Sequence, residues 1–352
     1  GGYDGNAGPN NAIKYDRKGN ANEMVWIPRF NWDRTNGFNS STIHPAFVVD
    51  GTEIKGFWVA KYECVVLDSS TSAIYSAGKL NTDTHHYIAN SQPNVAPRHA
   101  ITFDAARRAC DNMNNGSTIT GYHLMTNAEW AAVALWAKDN ATMPYGNNNY
   151  GRDVDKKHLS GTIITGDTFG SGTSRWLTGS GGPTTTHNWV NGIADMNGNL
   201  WEWVDGFKVD EGKIYVMGND NTTPTWGGNS FAAAESTWYD TGMWVNWDGT
   251  AVYCSFSAIG RDSITATVKS KTFGITTGAD SLLQALAIGP VGSNAAAYGN
   301  DNMYLRNDGL RFPIRSGPWT HSSSAGVFIL YVSNERSNSS YSLGFRAALI
   351  EE

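Results

Sequence analysis

Oxygen-bearing side chains are concentrated around one glycine-containing turn of this sequence. They are Asp195, Asn197, Asn199 and Glu202, within the stretch 195–202 (DMNGNLWE). Hard cations such as Ca²⁺ prefer carboxylate, amide and carbonyl oxygens, so the turn is a candidate calcium site. The alternative is a structural role, in which Trp201 and Trp203 fill the core while Glu202 and Asp195 accept hydrogen bonds from buried amides.

The cysteines and paired histidines point to no further site. Cys64, Cys110 and Cys254 are far apart and show no CxxC spacing, which argues against a disulfide framework and a structural zinc site. We expect them to be buried free thiols. His85 and His86 are adjacent and cannot both face one site on a helix, so we expect a solvated loop pair.

The segment 318–342 (PWTHSSSAGVFILYVSNERSNSSYS) interleaves apolar residues with Ser, Thr, His and Tyr. Antibody paratopes favour the second composition, because Tyr gives large rigid contacts at low entropic cost and Ser gives adaptable hydrogen bonds. The segment therefore predicts a ligand-binding surface. The alternative is a Ser-rich terminal hairpin with no binding role.

Alternation along residues 327–332 (VFILYV) indicates how this surface is displayed. Successive side chains of a strand point to opposite faces, so Ile329 and Tyr331 lie opposite Phe328, Leu330 and Val332. We expect the second face to pack on the scaffold and the first to be free to vary.

Caps and patterns predict the elements that position these segments. Residues 24–30 (MVWIPRF) and 57–66 (FWVAKYECVV) are predicted strands. Thr102 caps a helix with the sequence FDAARRACDNM, and Thr126 with Glu129 forms a capping box at the start of a second helix. Between 208 and 300, Gly and Asn turns alternate with short apolar runs, and we assign no elements there.

Composition and charge narrow the class of partner. The 352 residues include 39 Gly and 14 Trp and carry a formal net charge of -6. Phosphate binding needs a basic face, so the mild acidity argues against a nucleic-acid partner. Because the sequence contains no apolar stretch long enough to span a bilayer, we also expect no membrane insertion.

Several segments, in order, resemble the formylglycine-generating-enzyme (sulfatase-modifying) family. They are MVWIP (24–28), GFWVAKYECV (56–65) with Glu63 at the acidic position, PRHAITFDAARRACDNMN (97–114), GYHLMTNAEWAAVA (121–134), GIADMNGNLWEW (192–203), and IRSGPW (314–319) with LGFRAA (343–348). The resemblance implies an α+β, C-type-lectin-like fold of the formylglycine-generating-enzyme subtype, with twisted antiparallel strands, two helices and a long insertion.

The same resemblance sets the expected domain organisation. We expect residues 1–22 to be a loose N-terminal lead-in and residues 23–352 to form a single C-type-lectin-like domain. Roughly a hundred residues separate WEWVDGF from IRSGPW, where the family usually needs far fewer, so 208–305 is the expected insertion.

The family's oxidising enzymes use a pair of C-terminal cysteines, one of them directly after GFR. Thiolates are the nucleophiles and metal ligands of such chemistry. Here Ala347 follows Arg346, and no Cys lies beyond Cys254. This departure predicts that the chain is not an enzyme.

The C-terminal segment also resembles the variable proteins of diversity-generating retroelements. RSGPWTHSSSAGVFILYVSNERSNSSYSLGFR (315–346) follows their pattern throughout, although Ser316 and Ser322 stand where Gly is usual. The resemblance implies a constant framework, including Trp319 and Glu335, and diversified positions between. The positions expected to vary and to bind ligand are Pro318, Thr320, His321, Ser324, Ile329, Tyr331, Ser333, Ser340, Tyr341 and Ser342.

The two resemblances together set the functional expectations. Family members hold calcium in the matching motif, which implies Asp195, Gly198, Leu200 and Glu202 as ligands of a structural calcium ion. The function implied is non-enzymatic recognition of a protein or glycan receptor on a target cell, from a virion tail tip or fibre or from a cell surface. The alternatives are a carbohydrate-binding lectin of fixed specificity and, less favoured, a formylglycine-generating-type oxidoreductase.

Overall fold

The computed structural model describes most of the chain. The described residues are 11–81, 86–165, 175–181, 192–217, 238–247, 252–256, 268–274, 280–289 and 294–351, without the side chains of 247, 252–256, 269 and 271.

The described elements are mostly short strands. In chain order the strands are β1 (Asn11–Tyr15), β2 (Ala21–Pro28), β3 (Val48–Val49), β4 (Thr52–Glu53), β5 (Gly56–Ala60), β6 (Val65–Asp68), β7 (Tyr87–Asn90), β8 (Tyr122–Leu124), β9 (Trp201–Trp203), β10 (Phe207–Asp210), β11 (Lys213–Val216), β12 (Tyr239–Trp247), β13 (Val252–Phe256), β14 (Lys269–Thr272), β15 (Asn302–Leu305), β16 (Leu310–Ser316), β17 (Gly326–Asn334), β18 (Leu343–Phe345) and β19 (Ala347–Leu349). The helices are α1 (Phe103–Asp111), α2 (Asn127–Asp139) and the short α3 (Ser281–Ala285), and 3-10 turns lie at Pro45–Phe47, Ala295–Tyr298 and Ser322–Ser324.

A five-stranded sheet in the order β1-β2-β5-β19-β8 brings the two ends of the chain together. Residues 11–22 were expected to be a loose lead-in, but β1 pairs with β2 along its whole length. The single strand predicted at 57–66 is instead two strands. The chain leaves the five-stranded sheet after Ala60, and from Val65 it forms a separate two-stranded sheet, β6 with β7. Residues 1–10 lie outside the described part of the chain.

The ten-stranded sheet contains the C-terminal segment. Its order is β13-β12-β11-β10-β16-β17-β15-β14, with β9 paired to β16 and β18 paired to β9. Most neighbours are antiparallel, as expected, whereas β15 with β17 and β9 with β18 are parallel. Residues 208–305, the expected insertion, therefore contribute strands on both sides of the β16–β17 hairpin.

The two predicted helices are confirmed, together with their caps. The Thr102 hydroxyl accepts the Ala105 amide at the start of α1. At α2 the capping box is complete: the Thr126 hydroxyl accepts the Glu129 amide at 3.1 Å, and the Glu129 carboxylate accepts the Thr126 amide at 2.8 Å. A reciprocal cap satisfies amides that a helix start leaves unpaired.

Two hydrophobic clusters fill the interior. The first surrounds α2 and includes Phe328, Leu330 and Val332 of β17. The second surrounds α1 and includes Trp203 of β9 and Ile329 of β17. Because β17 has one cluster on each face, it is a central strand of the molecule.

Candidate ligand-binding surface

The hairpin of β16 and β17 holds the apolar residues of the predicted framework in the interior. Trp319 is 1% exposed, and Phe328, Leu330 and Val332 are fully buried. The Trp130 indole of α2 also donates to the Val327 carbonyl at 2.8 Å. The expectation that these framework side chains are buried is confirmed.

Seven of the positions expected to vary lie at the surface. Thr320, Ser340 and Tyr341 are exposed, whereas His321, Ser324, Tyr331 and Ser342 are partly buried. Four of them lie in the turn between β16 and β17 or on β17 itself. The other three lie in the loop before β18. We call these seven residues, together with Trp201 and Tyr304 described below, the C-terminal surface.

Three of the positions expected to vary are buried, so their expected exposure is wrong. Ile329 is 0% exposed, Ser333 is 9% exposed and Pro318 is also buried. The alternation along β17 is as predicted, because Ile329 does point away from Phe328 and Leu330. Its face is nevertheless covered by the second cluster, since a strand in the middle of a sheet can be packed on both sides.

Aromatic rings form the centre of the C-terminal surface. The Trp201 ring lies 5.0 Å from His321 and 5.4 Å from Tyr331, centroid to centroid. The Tyr304 ring lies 5.5 Å from Tyr331 and 6.4 Å from His321. These separations are typical of favourable aromatic pairs, and the geometries are edge-on or tilted. Nearby, Tyr341 is 48% exposed and its ring lies 6.2 Å from that of Trp319.

Sequence reasoning missed Trp201 and Tyr304 as parts of this surface. Trp201 stands in the most recognisable scaffold motif, which pointed to a core role, and it is indeed only 7% exposed. Tyr304 lies in the segment taken as an insertion and is the register partner of Tyr331 in the parallel pair of β15 and β17. No local pattern signals a parallel pairing between segments so far apart.

Backbone hydrogen bonds fix the loop that carries Ser340 and Ser342. The Ser340 carbonyl accepts the Ala100 amide, and the Ser342 carbonyl accepts the Trp201 amide at 2.8 Å. The two serine hydroxyls lie 2.9 Å apart, within hydrogen-bonding distance. The loop is therefore tied to the same strand, β9, that carries Trp201.

The side chains of Arg315 and Asp301 form hydrogen bonds with the backbone of β17. The buried Arg315 guanidinium donates to the carbonyls of Phe328 and Ile329, both at 3.3 Å, and to the Asn127 side chain at the start of α2. The Asp301 carboxylate accepts the Phe328 amide at 2.7 Å. A Cβ at Gly326 would collide with this carboxylate, so the approach requires glycine.

Two polar nitrogens in this region are buried without a partner. Among the described residues, neither His321 Nδ1 nor the Trp319 indole nitrogen has a hydrogen-bond partner. Burial lowers the pKa of the His321 imidazole. The ring is therefore neutral at neutral pH, and the rings Trp201, Tyr304, His321 and Tyr331 form an uncharged patch.

The residues expected to bind calcium are engaged with protein partners. Both Glu202 oxygens accept from the Arg346 guanidinium, at 2.8 and 3.0 Å. The Asp195 carboxylate accepts the Trp176 indole at 2.8 Å and the Gly179 amide at 3.1 Å.

One of the two expected main-chain ligands, the Gly198 carbonyl, also accepts a hydrogen bond. The Gly198 carbonyl accepts the Ser316 hydroxyl at 2.9 Å, and the Leu200 amide donates to the Glu63 carboxylate at 3.0 Å. Within the described part of the chain, no group of three or more His, Cys, Asp or Glu side chains is placed to hold a metal. Three of the four expected ligands therefore already accept hydrogen bonds from protein groups, and calcium binding stays a prediction.

The two cysteines whose side chains the structure describes are buried free thiols, as predicted. Cys64 and Cys110 are free and fully buried. Burial raises the pKa of the Cys64 thiol to about 12, so it carries no thiolate at neutral pH. The side chain of Cys254 and the whole of His85 lie outside the described residues, and His86 is exposed.

The mixed sheets, flanking helices and C-terminal hairpin define a C-type-lectin-like α+β protein. Residues 9–257 match the model of the sulfatase-modifying factor enzyme 1-like domain. The chain belongs to this formylglycine-generating-enzyme/sulfatase-modifying family.

Solved structures to which the chain is similar include PvdO from Pseudomonas aeruginosa and Treponema denticola variable protein 1. Each is 11% identical, with a TM-score of 0.38 over 97% of this chain and 99% of the other. The Major Tropism Determinant P3c variant is 13% identical, with a TM-score of 0.34 over 96% of this chain and 71% of the other. No curated protein sequence matches. Among the described residues, none of the helices has the length and apolar character needed to cross a membrane.

Proposed function

We propose that this chain is a non-enzymatic binding protein whose C-terminal surface recognises a protein or glycan receptor on a target cell. One observation carries the proposal: aromatic and hydroxyl side chains lie at the surface of a hairpin whose apolar framework side chains, Trp319, Phe328, Leu330 and Val332, are buried. Tyr, His, Ser and Thr on a rigid support have the composition and preorganisation of a paratope.

The sequence and the described thiols support a binding role over an oxidative one. Ala347 stands where the family's enzymes have a cysteine, and no cysteine follows Cys254. Cys64 and Cys110 are buried and protonated at neutral pH.

The resemblance to retroelement variable proteins supports a diversified surface, presented from a virion tail tip or fibre or from a cell surface. A reverse-transcriptase gene and an imperfect repeat of the C-terminal coding segment are then expected in the adjoining DNA. Their absence would favour a lectin of fixed specificity.

The binding role is tested by removing side chains from the surface. Labelled wild-type chain is screened against intact bacterial cells and a glycan array, and each hit is measured again with Thr320, His321, Tyr331 and Tyr341 all replaced by Ala. We expect binding to be lost, because aromatic anchors dominate interface energetics. Thermal unfolding reports whether the variant is folded.

The matched control is the pair Tyr15→Ala and Thr52→Ala, which removes exposed side chains elsewhere and should leave every hit intact. A second variant, Thr320→Ala with Tyr341→Ala, changes only exposed positions, where substitutions usually alter stability by about 0.5 kcal/mol or less. Hits that survive both surface variants would rule out this surface as the binding site.

A further inference from the structure

The aromatic centre of the C-terminal surface is built from two sources. His321 and Tyr331 belong to the segment expected to vary, whereas Trp201 lies on β9 and Tyr304 on β15, outside it. The Trp201 and Tyr304 rings each contact both the His321 and the Tyr331 ring, at centroid distances of 5.0–6.4 Å. Half of the cluster is therefore constant whenever the segment changes.

We propose that Trp201 and Tyr304 are affinity-determining residues of this surface: they form a constant aromatic floor that orients positions 321 and 331 for a protein ligand. The inference rests on the proposed function and deepens it. Side chains held in one orientation before binding lose less entropy on binding, which raises affinity.

The backbone gives both floor residues a fixed place. Trp201 is the register partner of Leu343 and donates its amide to the Ser342 carbonyl, so it is tied to the loop of Ser340 and Ser342. Tyr304 is paired directly with Tyr331 along β15 and β17. Trp201 belongs to the second hydrophobic cluster and Tyr304 packs against it, so both rings have supporting contacts besides those with His321 and Tyr331.

Ring geometry favours a protein ligand over a glycan. A sugar stacks on an open, flat ring face, but Trp201 is 7% exposed and its ring meets His321 at 85° and Tyr331 at 52°. His321, Tyr331 and Tyr304 are only partly exposed, and none of the four rings carries a charge at neutral pH. Uncharged aromatic clusters of this kind anchor apolar side chains of a protein partner.

The test uses the whole chain with a defined protein probe. Positions 320, 321, 331, 340 and 341 are randomised in the wild-type background and in a Tyr304→Ala background, and both libraries are selected against hen lysozyme and against a panel of immobilised oligosaccharides. We expect lysozyme binders from the first background only. Introducing Tyr304→Ala into a selected binder should weaken its Kd by about tenfold or more.

Controls separate a role in the floor from general damage. Trp201→Phe and Tyr304→Phe keep a ring and should retain most of the affinity, while Tyr15→Ala removes an exposed ring elsewhere and should have no effect. Melting temperatures of all variants identify any that are merely unfolded.

Each outcome decides one question. Equal lysozyme binders from both backgrounds overturn the floor and leave the proposed function standing. Binders to oligosaccharides alone overturn the protein ligand class. If neither background yields any binder, to lysozyme or to oligosaccharides, although both libraries are folded, the proposed function itself is overturned.

Discussion

At the scale of single residues, two serines depart from the pattern of the retroelement variable proteins that residues 315–346 resemble. Ser316 and Ser322 stand where Gly is usual, and both have left-handed backbone conformations, with φ of 80° and 52°. Side chains other than Gly are strained there. Ser316 compensates by donating its hydroxyl to the Gly198 carbonyl.

Replacing Ser322 by Gly should stabilise the protein. The strain at φ 52° is relieved, and after the extra chain entropy of Gly the gain should be about 0.5–1 kcal/mol. Denaturant unfolding measures it. Ser316→Gly is the control, because it also removes a buried hydrogen bond and should show no gain. A loss of stability in Ser322→Gly would contradict the argument.

At the scale of elements, the start of β17 depends on a residue outside the segment it belongs to. Asp301 is fully buried beneath Gly326 and holds the Phe328 amide. Burial raises the pKa of the Asp301 carboxyl to about 7, against the hydrogen bonds and the Arg315 charge that favour ionisation. The hairpin of the C-terminal surface is thereby coupled to the protonation of one carboxyl group.

The raised pKa of Asp301 predicts how the free energy of unfolding depends on pH. Between the unfolded value near 3.8 and the folded value of about 7, the folded chain holds a proton that the unfolded chain releases, so this contribution to stability falls as pH rises. Asp301→Asn keeps an oxygen acceptor and does not titrate. The free energy of unfolding of Asp301→Asn, relative to wild type, should therefore rise from pH 4 to 7, by up to about 1.4 kcal/mol per unit.

Asp33→Asn is the control, with the opposite sign. Hydrogen bonds from Ser40 and Asn36 lower the pKa of the partly exposed Asp33 carboxyl to about 2. Its stabilisation is present above pH 4 and is lost as pH falls toward 2, so the difference between Asp33→Asn and wild type should not change from pH 4 to 7. A flat difference for Asp301→Asn as well would refute the coupling.

Local signals predicted the elements whose causes are local. Both helices begin at the predicted caps, because Thr102 and Thr126 satisfy amides within one turn. The alternation along β17 is also correct, since it depends only on strand geometry. The burial of Ile329 and the place of Tyr304 depend on pairings between distant segments, and no periodicity within 208–305 records which strands lie beside the C-terminal hairpin.

At the scale of the whole molecule, one buried ion pair joins the two sheets. Arg346, between β18 and β19, donates to the Glu202 carboxylate on β9 and to the carbonyls of Ala60, the last residue of β5, and Ala194. Arg346 and Glu202 are both fully buried. Glu63, whose pKa burial and the neighbouring Asp195 raise well above the usual value, lies in the same cluster.

Glu202→Gln should destabilise the protein by about 3–5 kcal/mol, because it leaves the buried Arg346 without its counter-charge. Thermal and denaturant unfolding are measured in chelator and in excess calcium. The observed pairing predicts the same loss in both, whereas a calcium ion held by Glu202 would make the loss larger with calcium. Lys14→Gln, which removes a partly exposed pair with Glu351, is the control and should cost about 1 kcal/mol or less.

The burial of Ile329, Ser333 and Pro318 has a consequence for the diversification proposed for this segment. A codon change at one of these sites is screened first by folding, because a polar or bulky residue there must enter the interior before any ligand is met. Changes at the exposed residues Thr320, Ser340 or Tyr341 are not limited by folding in this way. Substitutions in this short segment therefore fall into two groups. Those at exposed positions can change binding without affecting folding, whereas those at buried positions are lost when they destabilise the protein. The face of β17 on which a residue lies, and its burial, decide which group it belongs to.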